Sequence, residues 1–246
     1  MRAQDLPGIR HLPLFRDMRQ AHFEALMQGC YAQNFPAGLE LVRQGDPADF
    51  LHIVVEGLVE LYADWGGREC TMGILRPVGT FILAACIRDA PYLMSARTLE
   101  RSRIILVPAS DLRATFRQDP EFAVSVINDL AGNFRTMVRH AKTLKLRNSR
   151  ERIAAWLLQQ AEVAGASSYQ LPIEKRFLAS YLGMTPENLS RALKSLEADG
   201  LRVEGARVTI TDRAKVEALA QPDLLIDGPD PEAEGGAAAL PGPSPE

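Results

Sequence analysis

The sequence predicts an α+β protein in which a domain of short strands comes first, a long helix follows, and a small helical domain comes last. Three observations predict this order. Short β-prone runs separated by glycines extend from about residue 35 to residue 107, apolar residues recur at heptad spacing over residues 127–144, and residues 174–196 predict two short helices joined by a tight turn. With 246 residues, 46% of them apolar, the chain is long enough to bury the cores of two compact domains.

Composition limits where the protein works. No apolar run approaches the roughly 20 residues that span a bilayer, and the N-terminal residues lack the apolar segment of a secretory signal. The three cysteines, Cys30, Cys70 and Cys86, are odd in number and widely spaced, which argues against a disulfide framework and a CxxC metal site. We therefore expect a cytoplasmic protein without a membrane segment or a metal site.

The first domain is predicted to cover residues 1–118. Residues 14–30 have apolar residues spaced as in short amphipathic helices, and the β-prone runs after them indicate a small antiparallel sandwich or roll. Alternation of Leu51, Ile53 and Val55 with other residues is typical of a strand with one buried face.

The long helix is predicted over residues 119–148. Asp119 is a good cap, and Pro120 suits the first helical position. Spacings of three and four residues then define a seam, which consists of Ile127, Leu130, Phe134, Met137, Ala141 and Leu144. Such a helix could lie across its own domain, but the same pattern forms a parallel two-stranded coiled coil, and we favour the dimer.

The last folded domain is predicted over residues 149–221, and its centre is the stretch EKRFLASYLGMTPENLSRALKSL, residues 174–196. Gly183 permits a tight turn between two helices because it adopts positive φ without steric cost. Thr185 is a good N-cap and Pro186 suits the first position of the second helix. The buried stripe of that helix is predicted to be Leu189, Leu193 and Leu196.

Polar side chains fall on the other face of this second helix, at its N-terminal end. They are Glu187, Asn188, Ser190, Arg191 and Lys194. An ordinary helical hairpin has such a polar face too, but LRVEGARVTIT, residues 201–211, follows with two β-prone runs around a glycine, which is typical of a wing. The pattern therefore favours a winged helix-turn-helix, whose second helix presents groups that read DNA bases.

The charges are segregated along the chain. Residues 135–215 contain 15 Lys and Arg against 8 Asp and Glu, a net +7, while residues 222–246 contain six acids and no base. A local basic excess suits nucleic acid, because phosphate contacts dominate affinity. The acidic last segment, 222–246, is rich in Pro, Gly and Ala, so we expect it to be mostly disordered, either inert or competing with DNA.

Two segments carry a resemblance to a known family. They are RQGDPADFLHIVVEGLVELY, residues 43–62, and TPENLSRALKSLEADGL, residues 185–201. Over about residues 12–220 the chain resembles the CRP/FNR superfamily of bacterial transcription regulators. That resemblance implies a β-roll of the cyclic-nucleotide-binding kind, a long dimerisation helix and a C-terminal winged helix. Two further segments, FILAACIRDAPYLMSARTL and PENLSR, look most like the FNR and DNR branches.

The resemblance implies a DNA site. The positions of Glu187, Ser190 and Arg191 are those of the Glu, Ser and Arg that read a TTGAT-type half-site in these branches. Pro186 stands where cyclic-AMP-responsive members have an Arg, which favours the FNR-type site. The implied partners are double-stranded DNA as a palindrome, a second copy of the chain, and RNA polymerase.

The chemistry of the side chains agrees with this assignment. Arg191 is able to donate two hydrogen bonds to guanine, Glu187 to accept one from cytosine, and Ser190 to contact thymine or an adjacent base edge, with Asn188 beside them as a further base-reading residue. Contacts to the DNA backbone are expected from Thr185, Lys194, Lys175, Arg176 and Arg207. Arg176 could equally be a solvated surface residue.

The effector site departs from the family pattern. Members that bind cyclic AMP have a Glu for the ribose and an Arg-Ser pair for the phosphate, and alignment places Leu83, Leu93 and Met94 there. A phosphate buried against these side chains would have no compensating partner, so cyclic nucleotides are not expected. An iron–sulfur cluster is not expected either, because only Cys30 lies near the N-terminus.

What remains is an apolar pocket that we expect to be lined by Phe81, Ile82, Leu83, Cys86, Tyr92, Leu93, Met94 and Phe134. It would suit haem or a small hydrophobic molecule. Conceivable axial ligands are His52, His140, Cys70 and Cys86, although a lone His or Cys is more often structural. Control by the abundance of the protein alone also fits.

Two other classes of protein are less consistent with the sequence. A cyclic-nucleotide-binding module that acts on a protein partner is the alternative, but the missing phosphate ligands and the basic helix-turn-helix argue against it. An enzyme is not expected, because no nucleophile–base arrangement, metal-ligand spacing or phosphate loop occurs.

Overall fold

A computed structural model describes residues 6–228 of the chain. The chain folds into two compact units, the first ending at Thr136 and the second beginning at Met137.

The first unit contains two four-stranded antiparallel sheets, which is the roll-like arrangement expected. The strands are β1 (Tyr31–Phe35), β2 (Glu40–Val42), β3 (Phe50–Glu56), β4 (Val59–Trp65), β5 (Arg68–Leu75), β6 (Gly79–Phe81), β7 (Ser95–Thr98) and β8 (Ser102–Pro108). The strand order is β1-β8-β3-β6 in one sheet and β2-β7-β4-β5 in the other.

The inner strand β3 is buried on two faces. Leu51 and Ile53 are buried as expected, but His52 and Val54, which point to the opposite face, are buried as well, and Val55 is only half-buried. The expectation of one buried face is therefore wrong for this strand. Both faces of this inner strand are covered by side chains, because Leu51, Ile53 and Val54 all belong to the hydrophobic core and the His52 ring lies 4.9 Å from the Phe81 ring, as is more common for strands of parallel sheets.

Five short helices complete the first unit up to residue 118. They are α1 (Leu6–Arg10), α2 (Pro13–Arg16), α3 (Gln20–Gln28), α4 (Leu83–Arg88) and α5 (Ala109–Gln118). Helices α2 and α3 fall on the amphipathic pattern of residues 14–30, whereas α1 lies before it. Their aromatic residues close the core, since the ring of Phe15 lies 6.1 Å from that of Phe23 and stacks 6.0 Å from that of Phe122.

The long helix α6 extends over Pro120–Leu146, and the boundary between the two units falls within it. Its start is fixed by the buried carboxylate of Asp119, which accepts a hydrogen bond from the Phe122 backbone N–H at 3.2 Å. The other carboxylate oxygen accepts from the Arg19 N–H at 2.9 Å and lies 2.8 Å from Nδ1 of His22. The predicted cap is therefore present, and it also ties α6 to the start of α3.

The heptad seam of α6 is largely exposed. Phe134 is 71% exposed and Ile127 58% exposed, Met137 and Ala141 are exposed, and Leu130 and Leu144 are half-buried. Within the chain, α6 instead buries Phe122, Ser125 and Val126 near its start. The seam is thus an apolar stripe that a single copy of the chain covers only in part.

The second unit consists of the end of α6 and a compact helical domain with a small sheet. Its remaining elements are α7 (Ser149–Ala164), β9 (Ser168–Gln170), α8 (Lys175–Tyr181), α9 (Pro186–Ser195), a 3₁₀ turn (Leu196–Asp199), β10 (Leu201–Glu204), β11 (Arg207–Ile210) and α10 (Arg213–Ala220). The strand order of the sheet is β10-β11-β9. Buried apolar side chains of α7, such as Ile153, Leu157 and Leu158, form the centre of the unit.

The segment after α10 differs in part from the expectation of a disordered tail. Residues 222–228 form turns in which both oxygens of Asp227 accept hydrogen bonds from the Arg147 guanidinium at 2.6 Å, and Arg139 donates to the Gly228 carbonyl at 2.9 Å. These contacts supply the stabilisation that composition alone does not reveal. The rest of the predicted tail, residues 229–246, lies outside the described residues.

Candidate nucleic-acid interface

The turn between α8 and α9 is built on Gly183. Its φ is +66°, the left-handed region that favours glycine, and a Cβ at this position would lie 3.2 Å from the Leu144 side chain of α6. The Gly183 N–H donates to the Ser180 carbonyl at 3.0 Å, and the Met184 N–H donates to the Ala179 carbonyl at 2.9 Å. The small turn therefore ends α8 and sets the direction in which α9 leaves.

The start of α9 follows from two residues. Thr185 is the N-cap, and its hydroxyl accepts a hydrogen bond from the Asn188 N–H at 3.3 Å, while Pro186 occupies the first helical position. Leu189 and Leu193 are buried below the helix, and Leu196 continues the stripe in the 3₁₀ turn. Helix α9 is thus held by its apolar face and leaves the other face to solvent.

The exposed face of α9 contains all five polar residues that the pattern singled out, Glu187, Asn188, Ser190, Arg191 and Lys194. The structure brings Glu187, Asn188, Ser190 and Arg191 together within the first two turns. Hydrogen bonds from the backbone N–H of Glu187 and from Thr185 lower the pKa of the Glu187 carboxyl, so it is ionised at neutral pH and acts as an acceptor.

Arg191 has one hydrogen-bond partner among the described residues. Its Nη2 donates to Oδ1 of Asn188 at 2.5 Å. A guanidinium has five N–H donors, so this bond leaves a pair that is able to bind an acceptor edge outside the protein.

The residues predicted to contact the DNA backbone lie in different surroundings. Lys194 and Arg207 are exposed, whereas Lys175 is half-buried at the start of α8. Arg176 forms an ion pair with Glu174 at 3.0 Å and lies 4.5 Å from the centre of the Phe177 ring. Its charge is therefore already partly compensated.

A groove of about 550 Å³ beside α9 contains residues that the sequence pattern did not single out. Arg150 and Arg152 of α7 lie in its lining together with Asn188 and Arg191. A local signal existed, because Asn148 and Glu151 form a capping box that fixes where α7 begins. The position of the start of α7 next to α9 depends on long-range packing, which no local pattern in the sequence shows.

The expected wing hairpin is present, and a third strand joins it to form a three-stranded sheet. Strands β10 and β11 pair as predicted, with Val203 opposite Val208, and β9 adds to β11 with Val208 opposite Tyr169. The third strand comes from residues 168–170, whose sequence is too short to show a β pattern. The predicted wing residue Arg207 lies in β11.

The residues predicted to line an effector pocket do not share one environment. Phe81, Leu83, Cys86 and Tyr92 are packed in the hydrophobic core of the first unit, and Ile82 and Met94 pack against that core. Leu93, in contrast, is 82% exposed, and Phe134 belongs to the exposed stripe of α6. Leu93 and Phe134 therefore lie outside the hydrophobic core, and a pocket shared by all eight residues stays a prediction.

A charged cluster lies on strands β4, β5 and β7 of the same unit. The carboxylate of Glu60 is buried and accepts from Nε of Arg97 at 2.7 Å and from the hydroxyl of Thr71 at 2.6 Å. Arg97 also donates to Glu69 at 2.8 Å and lies 4.2 Å from the centre of the Tyr62 ring. Arg97 is thus matched by two carboxylates and an aromatic face.

The four conceivable haem ligands are also placed differently. His52 is buried against the Phe81 ring, and burial lowers its pKa to about 4. Cys86 is buried, Cys70 is exposed, and His140 lies 4.4 Å from the Tyr181 ring in the second unit, where burial and then the charge of Arg152 lower its pKa. Among residues 6–228 no three His, Cys, Asp or Glu side chains are grouped to hold a metal ion.

Over the same described residues, every helix is either too short or too polar to cross a membrane.

These features define the second unit as a winged helix-turn-helix domain, the class of module that places its second helix in the major groove of double-stranded DNA. Comparison with known proteins agrees. Residues 151–219 match the Crp-like helix-turn-helix domain and residues 32–119 match the cyclic nucleotide-binding domain. The chain belongs to the CRP/FNR family of transcription regulators, which bind DNA and are not enzymes.

Individual relatives are distant but cover most of the chain. A CRP-like cAMP-activated global transcriptional regulator of Mycobacterium tuberculosis is 25% identical over 210 residues, which is 82% of this chain and 94% of that protein. The transcriptional activator protein FnrL of Cereibacter sphaeroides is 26% identical over 238 residues, 87% of this chain and 90% of that protein. The structure of FixK2 from Bradyrhizobium japonicum is similar with a TM-score of 0.67 and 25% identity, over 79% of this chain and 98% of that chain.

Proposed function

We propose that this regulator is a cytoplasmic homodimer that binds a palindromic site with TTGAT-like half-sites, one half-site for each copy of α9. The observation that carries the proposal is the exposed group of Glu187, Ser190 and Arg191 at the start of α9, in which an ionised carboxylate, a hydroxyl and a guanidinium lie within two helical turns. Recognition helices present base-reading side chains at this end.

Each of these side chains has a chemical partner in such a half-site. Arg191 donates a pair of hydrogen bonds to O6 and N7 of guanine, and Glu187 accepts from N4 of the cytosine. Ser190 contacts a thymine or an adjacent base edge. Phosphate contacts from Lys194, Lys175 and Arg207 add affinity that is independent of sequence.

The dimer is supported by the apolar stripe of α6. Ile127, Phe134 and Met137 are exposed in the single chain, and their heptad spacing is that of a parallel coiled coil. A second copy would cover the stripe. It would also supply the second α9 that a two-fold site requires.

We propose further that cyclic nucleotides are not the effector, although the M. tuberculosis relative is named as cAMP-activated. Leu83 is buried in the core, and Leu93 and Met94 offer neither charge nor hydroxyl to a phosphate. Arg97, the nearby arginine in sequence, already pairs with Glu60 and Glu69. An iron–sulfur cluster lacks its cysteines, because Cys30 and Cys86 are buried and far apart in sequence.

The remaining effectors are a small hydrophobic molecule, haem that senses a gas, or none, with control by abundance. Haem would supply a metal centre for a diatomic gas. His52 and Cys86, its candidate ligands in the first unit, are enclosed by core side chains, so they fit haem poorly in this conformation. A small hydrophobic molecule or control by abundance therefore agrees better with the packing, and RNA polymerase is the proposed partner at promoters.

The proposal is tested by selecting binding sites from randomised duplex DNA with the purified full chain. We expect enrichment of a two-fold symmetric site with TTGAT-like half-sites spaced so that the two α9 helices lie about one helical turn apart. Selection of no symmetric site, or of one whose half-site lacks the guanine, would contradict the assignment of α9.

A further inference from the structure

The side chain of Asn188 is turned toward Arg191 on the exposed face of α9. Its Oδ1 accepts a hydrogen bond from Nη2 of Arg191 at 2.5 Å, between residues three apart in the helix. Only the amide oxygen can face a guanidinium, because Arg has donors alone, so the chemistry fixes which way the Asn188 amide points.

We propose that Asn188 is a positioning residue that holds Arg191 for base reading, and that it does not read a base itself. The inference rests on the proposed function of α9. It changes the role that the sequence pattern assigned to Asn188, because an exposed Asn on a recognition helix normally suggests adenine.

Reading adenine requires both ends of the Asn amide, the oxygen for N6–H and the NH₂ for N7. In this chain the oxygen is already directed at Arg191. The oxygen has a second lone pair, but reading adenine requires both ends of the amide to be aimed at the base edge, whereas the bond to Arg191 aims the oxygen along the helix. The two roles are therefore in competition.

The bond suits the task of Arg191. An arginine has a long side chain that loses rotamer freedom when it docks, and a partner that already selects one position reduces the loss on binding. One bond to Asn188 leaves four of the five N–H donors, including a planar pair for the O6 and N7 atoms of guanine. Asn188 orients the guanidinium without using the donors that read the base.

The acceptor is itself held in place. The backbone N–H of Asn188 donates to the hydroxyl of the N-cap Thr185 at 3.3 Å, so Asn188 lies in the fixed first turn of α9. Lys194, farther along the same helix, is exposed to solvent. The defined direction of Arg191 is what base reading needs, whereas a lysine acts on phosphate through its charge and needs no such direction.

The test compares dissociation constants for the selected site and for the same site with the guanine pair of Arg191 replaced, at one salt concentration. The ratio of the two constants measures discrimination, which for a good bidentate pair is about 5-fold to 150-fold. We expect Asn188→Ala to reduce this ratio several-fold and to leave the ratios for other base pairs within about two-fold.

Asn188→Asp is the matched control. It keeps an oxygen at the same place, so the discrimination ratio should stay within about two-fold of wild type, although its added negative charge weakens binding to every sequence. A merely structural role of Asn188 would change overall affinity or stability and would not separate these two variants by their base selectivity.

The double variant Asn188→Ala with Arg191→Ala completes the cycle. If Asn188 acts through Arg191, the double variant discriminates no worse than Arg191→Ala alone. If Asn188→Ala instead removes discrimination at a different base pair, or leaves all ratios unchanged, the positioning role is wrong. If Arg191→Ala keeps full selectivity at every base pair, the proposed function of α9 fails together with this inference, which distinguishes the two failures.

Discussion

Two clusters of charged side chains in this chain are built in opposite ways. On α9, Glu187 and Arg191 are exposed, and Arg191 makes a single hydrogen bond within the described part of the chain. In the first unit, Arg97 is matched by Glu60, Glu69 and the Tyr62 ring. The first cluster has donors and acceptors left for a ligand, whereas the second uses them within the fold.

This contrast separates a binding surface from a structural network of charges. Buried charges need partners, because an unpaired one costs several kcal/mol, about 3–5 when one member of a pair is removed. Exposed charged groups are hydrogen-bonded to water in the free protein. A ligand group can replace that water, so these side chains need no partner within the fold. A group of exposed charged residues whose hydrogen bonds are not used within the chain is therefore available to a ligand, whereas a buried and paired group is not.

The largest effect is expected from changes in the apolar stripe of α6, which is exposed like the charged cluster of α9. Leu130→Asp together with Phe134→Asp should give monomers that bind the operator weakly, because burial of each large side chain contributes on the order of 2 kcal/mol. Sedimentation and DNA binding measure the two consequences. Asn128→Asp, which adds a charge on the same helix outside the seam, should remain dimeric.

A wild-type chain that sediments as a monomer at micromolar concentration would contradict this use of the stripe. The alternative in which α6 only covers its own domain would then be preferred.

The second prediction concerns the charged cluster of the first unit, in which Arg97 is paired with Glu60 and Glu69. Arg97→Ala leaves the buried carboxylate of Glu60 without its cation, and we expect the free energy of unfolding to fall by about 3 kcal/mol, since Thr71 still donates to it. Denaturant unfolding followed by circular dichroism measures the change. Glu69→Gln removes the more exposed carboxylate and should cost less than about 1 kcal/mol.

The Arg97→Ala variant also separates the structural role of this cluster from DNA reading by α9. Folded Arg97→Ala protein should select the same DNA site as the wild type. An Arg97→Ala chain as stable as the wild type would show that the cluster is not structural.

The smallest effect is expected from cyclic AMP, which should release or absorb no measurable heat of binding up to millimolar concentration. The reason is that Leu83, Leu93 and Met94 offer nothing to a phosphate, and Arg97 is already paired. Titration calorimetry with the full chain measures this. A micromolar dissociation constant would mean that Arg97 leaves its carboxylates to bind the phosphate.

The helix-turn-helix was predictable because its signals are local. The N-cap Thr185, the first helical residue Pro186 and the left-handed Gly183 lie within four residues. The structure has all three in these predicted roles. The start of α6 was predictable for the same reason, since Asp119 lies next to the helix that it caps. Short-range physical chemistry fixes such features without knowledge of the rest of the fold.

Other features depend on contacts between distant parts of the chain. Helix α4 begins after Ile82, whose φ is +66°, and no side chain caps its start. Its sequence is apolar, so no local pattern predicts the helix. The placing of Leu93 outside the core, the approach of Arg150 to α9 and the bond of Arg147 to Asp227 also follow from tertiary packing. The surroundings of the predicted effector-pocket residues therefore depend on long-range packing, whereas the exposed face of α9 follows from local signals.

Arg191 is proposed to read a base, whereas other basic residues contact phosphate, and a comparison of Arg191→Ala with Lys194→Ala on the same DNA distinguishes the two roles. We measure affinity for the selected site and its single-base variants over a range of salt concentrations. Arg191→Ala should lose about 1–3 kcal/mol and its discrimination at one base pair, while Lys194→Ala should weaken binding to all sequences similarly and make the salt dependence shallower by about one unit of slope. If Arg191→Ala keeps full selectivity at every base pair, or if the two variants lose affinity in the same uniform way, the account of α9 is wrong.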